Sequence, residues 1–296
     1  MTFSDEMSGL IVGGWSGTTA LKSSEIIPNP NNCSLPSLPK GLNGQPSLIL
    51  TKDRNILLCG GGNNLKRCLT LKHGLWLHHS HLTEQRNYAT AIAMPSGTYF
   101  FGGDFSPQTY EWLPSGSTRW KKGGKIPQPG FSTGCGVSIS DTEVLLIGGE
   151  YSTKTIVKFN VETMEWKNMG QLQQGRYSHS CVKFKDTIIV SGGKEPKSVG
   201  VFASTELIDV ETLTSRPGPD MNKARSFHGL VEAKYNKEPT VLAIGGMGFE
   251  HDWKRWTSIE IWNHDNQSWS LSSDVALSET RTSLGYVTVP TDSLCL

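Results

Sequence analysis

The sequence carries almost no net charge. Its 28 lysines and arginines stand against 27 aspartates and glutamates, a formal +1 over 296 residues. That leaves no global field to attract nucleic acid or an anionic membrane, and neither is expected as a partner. Long apolar runs are absent too. No window approaches the roughly 20 residues of a membrane helix. The N-terminal Met1-Thr-Phe-Ser-Asp-Glu-Met7 has neither the basic nor the apolar stretch of a secretion signal, so a cytoplasmic location is expected. No segment sustains a helical period. There is no Cys-x-x-Cys, no His-Glu-x-x-His, no Gly-x-Ser-x-Gly and no Gly-Lys phosphate loop. No cofactor, metal ligand or catalytic residue is therefore nominated.

Cysteine and histidine are scarce. Six cysteines in 296 residues is far from the density of a disulfide-stapled mini-domain. Cys59, Cys135 and Cys181 lie in apolar β-like runs and read as buried thiols. Cys33, Cys68 and Cys295 are less clearly placed, and a disulfide among those three stays open. The one histidine cluster, His78-His79-Ser80-His81, reads as an exposed outer strand in preference to a surface metal site. The sequons at Asn32 and Asn266 are what chance supplies in such a composition.

Glycine, by contrast, is abundant at 32 residues, and much of it comes in pairs that close short apolar runs. The pairs begin at 13, 60, 102, 148, 192 and 245, at intervals of 47, 42, 46, 44 and 53. Six such runs are the signature of a repeat architecture. The best-formed unit, 150–193, reads as four strands. They are Thr155–Asn160, a strand opening at Met164-Glu-Trp166, Ser180–Phe184, and the apolar Thr187–Ser191. Such a sheet cannot cover both its faces alone, and stacking units around an axis covers them all. The expected fold is all-β: a six-bladed propeller with four antiparallel strands per blade, one domain over residues 1–296. Leu10–Gly14 is a second strand with no first strand upstream, and Thr282–Val289 is a first strand with nothing after it. The two are expected to pair and close the ring. Trp76, Trp120, Trp166 and Trp269 recur where an outer strand begins and are expected to pack between sheets. Cys33 and Leu213 take that place in the first and fifth units.

Within one unit stand Gly148-Gly149, Phe159-Asn160, Trp166, Arg176 and His179. In this the chain resembles the kelch-repeat β-propeller family, over nearly its whole length. The third unit departs from the pattern with Pro129-Gly-Phe131 in place of the arginine, and the fifth lacks the tryptophan. The resemblance implies a protein- or peptide-binding module, for instance a substrate-recruiting adaptor. An actin-associated scaffold and a sugar-acid epimerase-like enzyme are the alternatives. For the enzyme, Glu84, Asp104, Glu150 and Asp252 would approach one face.

Blade topology places the outer-to-inner and the second-to-third strand connections on one face, around the channel mouth. The first set holds Arg86, Tyr88, Phe131, Arg176, Tyr177, Arg225, Phe227 and Arg281. Arginine with aromatics is the composition of interface hot spots, and arginine forks suit carboxylate or phosphate. The expected ligand is a peptide or protein segment with an acidic or phosphorylated group facing the arginines; the alternative for each arginine is a structural one, packing and hydrogen-bonding the turns within the fold. Trp253 and Trp256, in the long loop 247–257, are added as apolar contacts.

Overall fold

The computed structural model describes residues 6–62, 65–127, 129–196, 200–291 and 294. Among these there is no α-helix, and the strands form six antiparallel blades. Five blades have four strands each, in chain order from channel to rim. They are β3–β6 (Ser47–Leu50, Ile56–Cys59, Arg67–Lys72, Leu75–His81) and β7–β10 (Thr90–Met94, Gly97–Phe101, Thr109–Pro114, Lys121–Lys125). Next come β11–β14 (Cys135–Ser138, Glu143–Ile147, Thr155–Asn160, Trp166–Gln171) and β15–β18 (Ser180–Phe184, Thr187–Ser191, Thr205–Asp209, Ser215–Pro217). The last is β19, β20, β23 and β24 (Gly229–Tyr235, Glu238–Ile244, Ser258–Asn263, Ser268–Ala276), with a hairpin of β21 and β22 (Met247–Glu250, Asp252–Arg255) inserted after β20.

The remaining blade closes the ring. β25 (Gly285–Pro290) pairs with β1 (Met7–Val12), which pairs with β2 (Ser24–Ile27). The expected clasp is present, with Leu10 opposite Val287. This sheet has three strands, and the chain from 28 to 46 crosses its rim without forming a fourth. Cys33, expected in an outer strand, sits in that irregular stretch.

The core is a set of wedges. Each of six buried apolar clusters fills the gap between two neighbouring blades, as when Phe101 and Tyr99 meet Phe159 and Val144. The apolar runs of the second strands are buried, β4 and β8 over their whole length, which is why they read without a break. The rim tryptophans reach back to the preceding blade. Trp120 donates to Ser80 Oγ at 3.0 Å and Trp269 to Thr205 Oγ1 at 3.2 Å. Trp166 is only half-buried, against Phe101 and Tyr110.

Two sequence expectations about cysteine are corrected. Cys59 and Cys68, opposite one another on β4 and β5, are bonded to each other. Cys135 and Cys181, on the inner strands of adjacent blades, form a second disulfide. Apolar strand context signals burial and says nothing of pairing; neighbouring register does. Cys33 is disulfide-bonded as well, and Cys295 lies outside the described residues.

Candidate functional site

The junctions between blades follow one plan, with an arginine at four of the six. The first glycine of every pair is left-handed, with φ between 60° and 70°. The carbonyl of the next junction's arginine lies against it: a Cβ on Gly192 would sit 2.2 Å from Arg225 O. The second glycine donates to that same carbonyl, Gly193 N to Arg225 O at 2.7 Å and Gly246 N to Arg281 O at 2.9 Å. The arginine side chain then turns into the following blade. Arg225 Nη1 donates to Gly245 O at 2.7 Å, Arg176 Nη1 to Gly192 O at 2.7 Å, Arg86 Nη1 to Gly102 O at 2.5 Å and Arg281 Nη1 to Gly13 O at 3.0 Å. One residue thus ties together two glycine turns.

Each guanidinium also meets a glutamate on a third strand. The pairs are Arg86–Glu111 at 2.6 Å, Arg176–Glu206 at 3.0 Å, Arg225–Glu260 at 3.1 Å and Arg281–Glu25 at 2.5 Å. The expectation that these arginines line the mouth is corrected: Arg86 is 1% exposed and the other three 0%. Burial draws Arg176, Arg225 and Arg281 below the ordinary guanidinium range, with their glutamates opposing. Phe131 is also buried, in the arginine's place, and the residue in the glutamate's register there is Val157. Both belong to one apolar cluster. An ion pair has been exchanged for a hydrophobic pair as a unit.

Two residues beyond the arginine the chain turns left-handed at Tyr88, Thr133, Ser178, Phe227 and Ser283, with φ from 52° to 56°. Their amides form a relay around the mouth. Ser283 N donates to Phe227 O, Phe227 N to Ser178 O, Ser178 N to Thr133 O, Thr133 N to Tyr88 O and Tyr88 N to Gln45 O, at 2.7 to 3.2 Å. Non-glycine residues in this region store strain that the surrounding ring must enforce. Tyr88 and Phe227 come from opposite blades and touch, with ring centroids 5.7 Å apart. Below them lies a channel cavity of about 100 Å³ whose lining includes His179, Tyr286 and the Cys135–Cys181 bridge.

At four of the six glycine pairs the residue that follows pairs with the residue after the arginine: Trp15 with Thr282, Asp104 with Asn87, Lys194 with Tyr177 and Met247 with Ser226. Both sets of connections therefore share one face, as expected. What this second ring presents differs from blade to blade. Asp104 accepts from Ser132 Oγ at 2.6 Å. Glu150 is exposed. The Lys194 ammonium lies 5.2 Å from the Tyr177 and Phe227 ring centroids and 5.7 Å from that of Trp253. Burial lowers its pKa, with Glu150 opposing.

Tyr88, Tyr177, Phe227 and Trp253 are thus at the mouth. Trp256 is not: it is buried, donates to Ala224 O at 3.1 Å, and carries the Lys223 ammonium over its ring at 4.3 Å. Sequence reasoning passed over Phe105, Tyr151 and Lys194. The available signal was their place one or two residues beyond a glycine pair. Of the carboxylates suggested for an enzyme, Glu84 accepts from Thr109 Oγ1 and Arg86, Asp104 is held by Ser132, and Asp252 sits at the hairpin tip.

A scan against protein-family descriptions matches none, and no curated protein matches the sequence. Among solved structures 492 chains match. One, titled "Structure of YjhT", has a TM-score of 0.70 at 15% identity, covering 84% of this chain and 88% of that one. At that identity the likeness shows the fold alone.

Proposed function

We propose that the protein is a binding module whose peptide or protein ligand docks on the mouth face, over the second ring and not over the arginines. One observation carries this. Four large side chains in the second-to-third strand connections are exposed: Phe105 at 67%, Tyr151 at 48%, Phe249 at 40% and Trp253 at 37%. All four are aromatic and all belong to the face that the paired rings define. Aromatics gathered on one exposed face are what interfaces use. The kelch resemblance of the repeat supports the same reading. The test is affinity capture from source lysate, quantified for the wild type and for a variant with all four changed to alanine. Being exposed, the four changes leave the melt within about 2 °C and abolish capture of the specific partners. Undiminished capture by the folded variant refutes the reading.

The paired cysteines bear on where this happens. Disulfides persist in oxidising compartments and are rare in the cytosol. We therefore place the working protein in an oxidising milieu, in preference to the cytoplasm that the N-terminus suggested.

A further inference from the structure

We infer that the mouth carries a built anion subsite, formed by Lys194 and Arg255 on either side of Trp253, and that it takes a carboxylate or phosphate borne by the ligand peptide. This rests on the reading of the mouth as a binding face and adds the chemistry that would select the ligand.

Each of the four junction arginines has a glutamate and backbone carbonyls within the fold, although Nε of Arg176 and of Arg281 has no partner. Lys194 and Arg255 are in the opposite condition. Among the described residues neither has an ion pair or a side-chain hydrogen bond, although both are partly buried. The Arg255 Nε is buried with no partner, as are those of Arg176 and Arg281, but Arg255 has no glutamate on its guanidinium either. The Lys194 ammonium is held by three ring faces, which solvate a cation without neutralising it. The carboxylate that acts on it, Glu150, stands outside ion-pair range. A cation that has already lost part of its water, and has no counter-ion, gives an incoming anion more than a solvated surface lysine does.

Both border the same hairpin. In the β21–β22 hairpin, Phe249 pairs with Trp253 and Met247 with Arg255. Period two puts all four side chains on one face of that hairpin. Lys194 approaches the same face at the Trp253 ring. The Arg255 guanidinium leans onto the blade-closing segment, where a Cβ on Gly17 would lie 2.8 Å from Nη1. Cation, indole and cation thus line one surface. A segment carrying an acidic side chain beside an apolar one fits it, with the anion between the cations and the apolar group against Trp253 and Phe249.

The probe is a random peptide library displayed on phage and panned on the full chain, with selected peptides resynthesised for titration. The expected consensus has Asp or Glu at one fixed position. Changing that residue to its amide weakens binding to wild type by about tenfold or more. The same change has little effect on binding to Lys194→Gln or Arg255→Gln, while Lys194→Arg keeps the preference. Both glutamine variants stay folded, Lys194→Gln with a slightly lower melt for its lost ring contacts, and binding is titrated per folded molecule. Phosphoserine at the fixed position separates the two sources: tighter binding than Asp assigns the subsite to phosphate, weaker binding to carboxylate. Peptides that depend on Phe105, Tyr151, Phe249 and Trp253 but show no acid preference overturn this inference and leave the mouth reading standing. If no selected peptide depends on the mouth aromatics, both fall.

Discussion

Arg225 separates a brace from a ligand contact most cleanly. Its side chain is 0% exposed, as is that of Glu260. It donates from Nε to Glu260, from Nη1 to Gly245 O and Ser258 O at 2.7 and 2.9 Å, and from Nη2 to Ser258 Oγ at 2.9 Å. Arg225→Ala leaves Glu260 buried without its counter-ion, a loss of about 3–5 kcal/mol for such pairs. Two carbonyls lose a donor as well, at about 1 kcal/mol each. Glu260 keeps the amides of Asn222 and Lys223 at 2.6 and 3.0 Å, which holds the expected total near the lower end, about 5 kcal/mol. At roughly 2 °C per kcal/mol for a chain of this size, the melting temperature falls by about 10 °C. Urea unfolding followed by tryptophan fluorescence measures it. The chain supplies its own control, because the Phe131–Val157 junction does without the pair. Arg225→Met with Glu260→Leu therefore costs less than the two single changes summed, by at least about 2 kcal/mol of coupling. Affinity per folded molecule for any mouth ligand stays unchanged. A single-variant loss under about 1 kcal/mol, the value of an exposed pair, or a loss of affinity at unchanged stability, refutes the assignment.

Trp166→Ala is expected to cost about 2–3 kcal/mol in the same assay, below the range for a fully buried tryptophan, because one side of the ring is open; Trp120→Ala costs more. His179 is buried, and desolvation followed by the Arg176 charge lowers its pKa to about 3; His228 shifts the same way. The unfolded chain then binds more protons, so stability is full above about pH 6.5 and falls towards pH 3, by up to about 1.4 kcal/mol per unit per histidine; a melting temperature flat across that window contradicts this. Non-reducing peptide mapping is expected to recover Cys59–Cys68 and Cys135–Cys181 as linked pairs. Reduction of Cys135–Cys181, which encloses 46 residues, costs about 4 kcal/mol by chain entropy, against under 3 for the shorter loop. Free thiols at these four positions in protein from its native source overturn the placement in an oxidising milieu.

Blade number, strand order and the terminal clasp were legible because each rests on something repeated: six glycine pairs, and one orphan strand at either end. The arginines were legible as a repeat, but the repeat alone left a turn brace and a ligand contact both open. Their partners were in the sequence too. The units with an arginine carry a glutamate in the third strand, at Glu25, Glu111, Glu206 and Glu260, and the unit with Phe131 carries Val157. Read together, the two columns announce an internal pair. The disulfides were harder, since Cys59–Cys68 follows from register and Cys135–Cys181 from which inner strands are neighbours. Trp256 and Trp253 stand three residues apart in one loop, and nothing in composition says which turns inward.

A residue that recurs at the same place in each blade answers a need that recurs in each blade. Here that need is to hold a left-handed glycine turn against its neighbour, and the buried arginine meets it with the same four kinds of hydrogen bond each time. A ligand that is not itself six-fold makes a different demand: the ring must offer it unlike groups at equivalent places. The position after the glycine pair does this, with Trp15, Gly62, Asp104, Glu150, Lys194 and Met247 in turn. The backbone pairing recurs at Trp15, Asp104, Lys194 and Met247 while the side chain differs. The fold thus uses the regular ring to stay closed, and that rigidity is what holds Lys194 within reach of three rings from two blades and an inserted hairpin. Recognition in a propeller of this kind is to be sought where the repeat breaks.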